Sequence, residues 1–228
     1  MPHRVEYVKM LTEAHMTSRR WFLSRLGISA STLGAAFGFA APPARAQSAS
    51  DSRFQPARHA QDDWLDQLPG THRVFFDTTT PDQLADAIMF TNNYYSANKN
   101  SYGLEAGDLA IVIGVRHQSA PFAFTDAMWS KHGVVLSKRA KFVDPKTNQP
   151  AMTNLRAPAL NALAKRGVVI SICDMSSHAI AGLIADSIGG KADEVYTQLA
   201  ANRLDNSRFV PAGIVAVNRA QERGYSTM

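Results

Sequence analysis

The chain has 228 residues, of which 45% are hydrophobic and 19% are charged, and its formal net charge is +5. This composition is that of a globular protein and excludes a disordered or fibrous chain. Most of the positive charge is at the start, because residues 1–46 carry a net charge of +4 and residues 47–228 only +1. The longer part lacks a basic patch with interleaved aromatic residues, so we predict no nucleic-acid partner.

The first 46 residues are predicted to be an export signal. Arg19 and Arg20 follow a hydroxyl residue and precede one variable residue, Phe and Leu, which is the twin-arginine order. The weakly apolar segment 26–41 comes next, and an A-x-A cleavage site ends at Ala46. We expect residues 1–46 to engage the twin-arginine translocase, to be cleaved after Ala46 and to leave a periplasmic protein. A membrane anchor is the alternative, but about 16 weakly apolar residues are fewer than the roughly 20 that span a bilayer.

After the signal, residues 47–70 are polar and aperiodic, and we interpret them as a flexible linker that includes a short helix around Asp62–Leu68. From residue 71, strands and helices alternate. Thr80 is a suitable cap for a helix with Pro81 in its first turn. The predicted strands are 72–77, 109–115, 168–173 and 208–211, and the predicted helices are 80–102, 124–132, 155–165, 178–188, 192–204 and 213–223.

This alternation predicts a single α/β domain over residues 71–228. Because consecutive strands are joined through helices, we expect a mainly parallel sheet with helices on both faces, which is a three-layer α/β/α sandwich. The sequence contains no Gly-x-Gly-x-x-Gly motif, phosphate-binding loop or Gly-x-Ser-x-Gly nucleophile elbow. Nucleotide binding and serine hydrolysis are therefore disfavoured.

Cys173 is the only cysteine and stands at the junction of a strand and a helix. Val168, Val169, Ile170 and Ile172 favour a buried strand, while Asp174, Ser176 and Ser177 are residue types found at helix N-termini. Ligands of open α/β folds bind at the carboxyl ends of the strands. Cys173 is thus either a reactive thiol at that edge or a small buried side chain.

Two segments resemble the DsrE/DsrF/TusD-like sulfur-relay family. The first is Leu160-Asn-Ala-Leu-Ala-Lys-Arg-Gly-Val-Val-Ile-Ser-Ile-Cys173, and the second runs from Phe209-Val-Pro-Ala-Gly to Gln221-Glu-Arg-Gly-Tyr225. The resemblance extends over roughly residues 72–226. It implies an α/β/α sandwich that assembles into trimers or hexamers, with Cys173 carrying sulfur as a persulfide. After the second strand, the family's glycine-rich turn is replaced by Arg116-His-Gln-Ser-Ala-Pro.

The predicted site is therefore centred on Cys173 as the catalytic residue. Arg116 and His117 leave the second strand at the same edge, where they could stabilise a thiolate or bind an anionic sulfur ligand. His178 lies five residues after Cys173 and either faces the thiol or points away from it. We expect no cofactor beyond the persulfide sulfur and no metal, because the histidines and Cys173 lack short ligand spacings. The alternative function is a non-catalytic binding or assembly module with a structural Cys173.

Overall fold

The computed structural model describes residues 55–228. In this part of the chain, five strands form one sheet, and every neighbouring pair is parallel. The strand order is β4-β3-β2-β1-β5. The strands are β1 (His72–Thr78), β2 (Leu109–Val115), β3 (Val169–Cys173), β4 (Ser207–Val210) and β5 (Ser226–Thr227).

Seven α-helices accompany the sheet within the described residues, which confirms the predicted three-layer α/β/α sandwich. Short 3₁₀ helices lie at Ala60–Asp62, Ala106–Asp108 and Ala120–Ala123. The α-helices are α1 (Trp64–Gln67), α2 (Pro81–Tyr102), α3 (Asp126–Ala140), α4 (Ala157–Ala164), α5 (Asp174–Ile188), α6 (Ala192–Ala201) and α7 (Gly213–Gln221).

The path of the chain determines which face each helix covers. From β1 to β4 the chain moves across the sheet in one direction, and then α7 returns it to β5, beside β1. Parallel crossovers are right-handed, so connections that run in opposite directions lie on opposite faces. Helices α2 to α6 therefore occupy one face of the sheet, and α7 occupies the other together with α1.

Two hydrophobic clusters correspond to these two faces. The larger joins Ile111 and Ile113 of β2 to residues of α2 to α6, and Trp129 of α3 is completely buried in it. The smaller cluster joins the alternate strand residues to α1 and α7. Its members are Trp64, Leu65, Phe75, Ala110, Val112, Val169, Val210, Ala216, Ala220 and Tyr225.

The start and end of α2 follow the predicted capping chemistry. The Thr80 hydroxyl accepts a hydrogen bond from the backbone N–H of Gln83 at 3.2 Å, and Pro81 occupies the first turn. At the other end, Gly103 has a φ of 67°, the left-handed conformation that glycine adopts most easily. Local sequence alone therefore defines both ends of this 22-residue helix.

The segment before β1 differs from its interpretation as a flexible linker. Trp64 and Leu65 of α1 are 5% and 0% exposed because they pack on the sheet face that α7 also covers. The Tyr225 hydroxyl donates to the Leu65 carbonyl at 2.7 Å. The expected short helix is present, and residues 60–68 belong to the packed domain.

Several further features differ from the sequence prediction. Helix α3 continues past His132, whose φ of −130° and ψ of 19° mark a kink at the predicted end. Helix α6 ends at Ala201 because the chain then pairs at Arg203 with Phe124. Strand β5 was not predicted, since it has only two residues.

The predicted signal peptide, with Arg19, Arg20 and the cleavage site after Ala46, lies outside the described residues. Between residues 55 and 228, none of the helices combines the length and apolar character needed to cross a bilayer.

Candidate functional site

The candidate site lies where β1, β2 and β3 end. Asp77 is near the end of β1, Arg116 directly follows β2, and Cys173 ends β3. Because the strands are parallel and adjacent, these residues lie at one edge of the sheet. Strands β3 and β4 are neighbours whose following helices lie on opposite faces, which is the switch point where open α/β sheets bind ligands. The structure therefore brings Cys173 and Arg116 to the expected edge.

Cys173 faces the side of the sheet that α7 covers. Side chains alternate along a strand, so Cys173 shares its face with Val169, which belongs to the smaller cluster. Its register partner Val210 on β4 belongs to the same cluster. Cys173 is also the N-cap residue of α5, without a side-chain cap hydrogen bond, and it is 6% exposed. The thiol is thus nearly buried beside a helix N-terminus.

Arg116 is the cation beside Cys173. Val115 pairs with Ile172, so Arg116 and Cys173 are the next neighbours across β2 and β3. The guanidinium group makes a two-pronged ion pair with Asp77, with Nε to Oδ1 at 2.8 Å and Nη2 to Oδ2 at 2.7 Å. Such a pair fixes the orientation of the guanidinium group as well as its position.

The charge on Arg116 is strongly retained. Its pKa is raised above the ordinary arginine value, chiefly by the hydrogen bond to Asp77 and further by the negative charges of Asp77 and of ionised Cys173, while burial opposes the rise. Arg116 therefore remains a permanent positive charge next to the thiol.

The backbone of Arg116 is held by a compact network below the site. Its N–H donates to the Thr78 carbonyl and to the Ser119 hydroxyl, at 3.2 Å and 3.0 Å. The Thr78 hydroxyl donates to the Gly114 carbonyl at 2.7 Å, and both Thr78 and Ser119 are buried. These bonds tie the end of β2 to the end of β1 and place the Arg116 side chain reproducibly.

Helix α7 begins against Arg116. A Cβ atom at Gly213 would lie 2.6 Å from Arg116 Cδ and 2.9 Å from its Cβ, so only glycine permits this approach. Ala212, the N-cap residue, supplies no side-chain acceptor, and the first turn contains no acidic residue. The N–H groups of this turn are a partial positive charge next to the same edge. Arg116 and the first turn of α7 therefore place positive charge at this edge, while Asp77 and Asp174, in the first turn of α5, place negative charge there.

A buried polar atom adjoins this arrangement. Ser171 lies two residues before Cys173 on the same strand and hence on the same face of the sheet. It is 1% exposed, and its hydroxyl has no hydrogen-bond partner within the described part of the chain. An unpaired buried hydroxyl is costly and can interact with an added polar group. Ser171 is therefore a candidate site residue.

His117 occupies an unusual backbone conformation next to Arg116. Its φ is 55°, in the left-handed region that few residues other than glycine adopt. Its N–H donates to the Ser176 hydroxyl of α5 at 3.0 Å. The imidazole is exposed, and it lines a cavity between α3 and α5. His117 thus stands at the predicted edge, where its backbone joins the β2 turn to α5.

His178 and Asp174 face α6. The imidazole of His178 stacks on the Tyr196 ring, with centroids 3.9 Å apart and planes inclined by 4°, and its Nε2 is 3.6 Å from an Asp174 oxygen. The Tyr196 hydroxyl donates to the other Asp174 oxygen at 2.6 Å. Burial and this hydrogen bond raise the pKa of Tyr196 to about 12. The Asp174 carboxylate is therefore engaged by α6.

Metal ligands do not cluster in the described part of the chain. No group of three or more His, Cys, Asp or Glu side chains lies close enough to hold a metal ion between residues 55 and 228.

Three residues of this site were not predicted from the sequence: Asp77, Ser171 and Gly213. Asp77 lies at the carboxyl end of the predicted strand 72–77, so its position in the sequence is the same signal that indicates Arg116. The sequence indicates Gly213 only as the first residue of a predicted helix, and its contact with Arg116 depends on tertiary structure. The position of Ser171 next to Cys173 follows from strand alternation, but its missing hydrogen bond depends on tertiary packing.

Comparisons with known proteins do not assign the chain to a family. No protein-family model matches it, and no curated protein matches it significantly. Among solved structures, it is similar to a protein of unknown function, MTH1491, from Methanobacterium thermoautotrophicum, with a TM-score of 0.39 and 14% sequence identity. That match covers 69% of this chain and 98% of the other.

Proposed function

We propose that the protein binds and transfers sulfane sulfur through a persulfide on Cys173. The observation that supports this proposal is the position of the Cys173 thiol at the end of β3, beside the Arg116 cation that Asp77 holds in place. Thiolates, rather than thiols, attack sulfur donors, and a fixed neighbouring cation favours the thiolate. The resulting persulfide is also an anion and is stabilised by the same charges.

The proposed loading step balances without a further oxidant or reductant. With thiosulfate as the donor, the Cys173 thiolate attacks the outer sulfur atom and forms a new S–S bond. The bond between the two thiosulfate sulfur atoms breaks, and sulfite leaves with its electron pair. The products are the Cys173 persulfide and sulfite, so atoms and charge are conserved. Unloading is the same exchange, with an acceptor thiolate attacking the outer sulfur.

Each neighbour has a separate role in this chemistry. Arg116 stabilises the attacking thiolate and attracts the anionic donor, and Asp77 orients Arg116 through the two-pronged ion pair. The first turn of α7 presents N–H groups without a capping side chain. The Ser171 hydroxyl, which is buried and unpartnered among the described residues, lies on the same face of β3 as Cys173. His117 and His178 are the further binding residues expected from the sequence.

The test is sulfur loading of the purified mature protein. After incubation with thiosulfate or a polysulfide, intact-mass spectrometry should detect the addition of single sulfur atoms, and reduction by dithiothreitol should remove them. Peptide mapping should place the added sulfur on Cys173. A Cys173→Ser variant serves as the control and should remain unmodified.

The opposite result favours a binding or assembly module with a structural Cys173. A folded protein whose Cys173 takes up no sulfur and resists alkylation has a structural cysteine, which agrees with an exposure of only 6%. A Cys173→Ser variant with lower stability alone would support the same conclusion. The fold would then be a binding or assembly module.

We infer that the working form is a periplasmic homo-oligomer. Exposed apolar side chains in the two turns that flank Cys173 support this: Met175 of α5 is 68% exposed and Ile214 of α7 is 59% exposed. Sedimentation of the processed protein measures the assembly, and a monomer at micromolar concentration would contradict it.

N-terminal sequencing of protein from the periplasm should begin at Gln47, and an uncleaved chain would contradict the proposed export route.

A further inference from the structure

The cavity that His117 lines lies between α3 and α5, below the turn that follows β2. Its volume is about 560 Å³, within the range of sites that enclose small organic molecules. His117 and Gln118 form one wall, and α5 contributes Leu183 and Ser187. The opposite wall comes from α3 and from Lys141, which directly follows it: Val134, Val135, Lys138, Arg139 and Lys141. The cavity is in the helical layer opposite α7, and therefore on the other side of the sheet from the Cys173 side chain.

The polar lining of this cavity is basic. Lys138, Arg139 and Lys141 all line it, and no acidic residue between positions 55 and 228 does. Among residues 55–228, none of the three has a side-chain hydrogen bond or an ion pair. Arg139 is only partly exposed, and burial lowers its pKa, an effect that the charge on Cys173 partly offsets. A desolvated cation without a counter-ion is costly, and an anionic ligand would compensate it.

The rest of the lining combines aliphatic side chains with a turn that is fixed by hydrogen bonds. Val134, Val135 and Leu183 supply aliphatic surface next to the cations. The His117 turn is fixed at two points, because its N–H donates to Ser176 and the Gln118 N–H donates to the Thr79 carbonyl at 2.9 Å. A preformed wall of this kind lowers the ordering cost of binding.

We propose that this cavity binds an amphipathic organic anion, with a carboxylate, sulfonate or phosphate group against Lys138, Arg139 and Lys141 and an apolar body against Val134, Val135 and Leu183. Three convergent cations select the head group, and the aliphatic wall selects the body. The cavity shares His117 with the edge at which Cys173 lies, but it opens on the other face of the sheet, and binding of the anion does not depend on the proposed sulfur chemistry.

Two matched fluorescent probes test the proposal on the full mature protein. 1-Anilinonaphthalene-8-sulfonate carries an anionic group on an apolar body, and N-phenyl-1-naphthylamine has the same rings without the charge. The sulfonate should bind saturably at one site per chain, with a dissociation constant at least tenfold below that of the neutral probe. The Cys173→Ser variant should bind both probes as the parent does, which separates this site from the thiol.

Substitutions in the lining identify the site. The double variant Lys138→Gln/Arg139→Gln should weaken sulfonate binding about tenfold or more and leave neutral-probe binding unchanged. Leu183→Glu, at a 45% exposed position of α5, should abolish sulfonate binding by placing a negative charge in the cavity. Lys165→Gln, an exposed cation outside the cavity, is the control and should have no effect. Equal affinity for the two probes, or unchanged sulfonate binding in both lining variants with native circular dichroism, would overturn the proposal.

Discussion

At the scale of single residues, the function proposed here depends on the charge next to Cys173. Arg116 is shared between Asp77, through two hydrogen bonds, and the thiol that lies beside it in the sheet. Removing the Arg116 cation makes the surroundings of the thiol more negative, and removing the Asp77 carboxylate makes them more positive. Arg116 and Asp77 therefore provide a matched pair of substitutions.

Arg116→Gln should slow the alkylation of Cys173 by iodoacetamide by roughly three- to tenfold at pH 7, because it removes the cation that favours the thiolate. Asp77→Asn leaves the Arg116 charge without its carboxylate partner and should preserve or increase the rate. The measurement is the pseudo-first-order rate of thiol loss in the folded protein. Equal rates in the two variants would show that Arg116 does not act on the thiol.

Tyr196 gives a prediction about pH. Its pKa is raised to about 12 by burial and by its hydrogen bond to Asp174. The folded state therefore holds the phenolic proton more tightly than the unfolded chain does, and this stabilisation is fully present below pH 10. It is lost as the pH rises from 10 through about 12.

Tyr196→Phe should thus be less stable than the parent at pH 8, by about 1 kcal/mol. The difference should shrink steadily above pH 10 in urea denaturation experiments. Tyr102→Phe is the control, since Tyr102 is 76% exposed and should show no difference at either pH. A gap between Tyr196→Phe and the parent that widens above pH 10 would contradict the assignment.

The positions of some site residues in the fold could be predicted from the sequence. Cys173, Arg116 and His117 could be placed at one edge because each follows an apolar run that is long enough to be a buried strand. The direction of His178 could not be predicted, since the residue could face Cys173 or another helix. Its stacking on Tyr196 depends on how α5 and α6 pack, and the order of residues within α5 does not encode that packing.

Among the helices, α7 begins directly against the Arg116 side chain, and a glycine at its first position permits this close approach. Gly213 lies against the Arg116 side chain, and an added methyl group would overlap it. Gly182, within α5, has open space around its missing Cβ atom. The two glycines are therefore structurally different although both lie in helices.

Gly213→Ala should destabilise the protein by about 1–2 kcal/mol and slow Cys173 alkylation, because Arg116 must move. Gly182→Ala should stabilise it by up to about 1 kcal/mol, since alanine favours the helix and meets nothing. Thermal denaturation of both variants measures the changes in stability. The alkylation rate of Cys173 in the Gly213→Ala protein measures the effect on the thiol. A Gly213→Ala protein as reactive as the parent would mean that α7 does not position Arg116.

Most elements could be predicted because their ends carry local signals such as Thr80, Pro81 and Gly103. Helix α3 was predicted to end at His132, and the kink there explains the error, since a helix resumes beyond it. Gly133 and the valines after it are poor helix formers, so only tertiary contacts show that the helix continues. Strand β5 was missed because two residues carry no periodicity.

Across the whole molecule, residues before β1 pack against residues between α7 and β5. The Arg223 side chain is fully buried, and it donates to Asp66 at 3.2 Å and to the His59 carbonyl at 3.3 Å. Together with Tyr225 and Leu65, these contacts join α1 to the region between α7 and β5. They explain why a polar, aperiodic segment is part of the folded domain.

A chain that starts at residue 55 retains all of these contacts and is the reference for the comparison. A chain that starts at residue 71 should be less stable by roughly 3–6 kcal/mol, because it loses the burial of Trp64 and Leu65. It also leaves Arg223 without its carboxylate partners. Urea denaturation followed by circular dichroism gives both values. Equal stability of the two chains would restore the interpretation of this segment as a linker.

The placement of β5 has a consequence for the order of folding during synthesis. Strand β1 can pair with β2 early, but its other edge is closed only by β5, and Tyr225 reaches Leu65 across a separation of 160 residues. A nascent chain that contains β1 to β4 thus presents an open strand edge to chaperones and to other chains. The sheet becomes complete only when its last strand leaves the ribosome. For a protein proposed to cross a membrane already folded, this delays export competence until translation of the domain has finished.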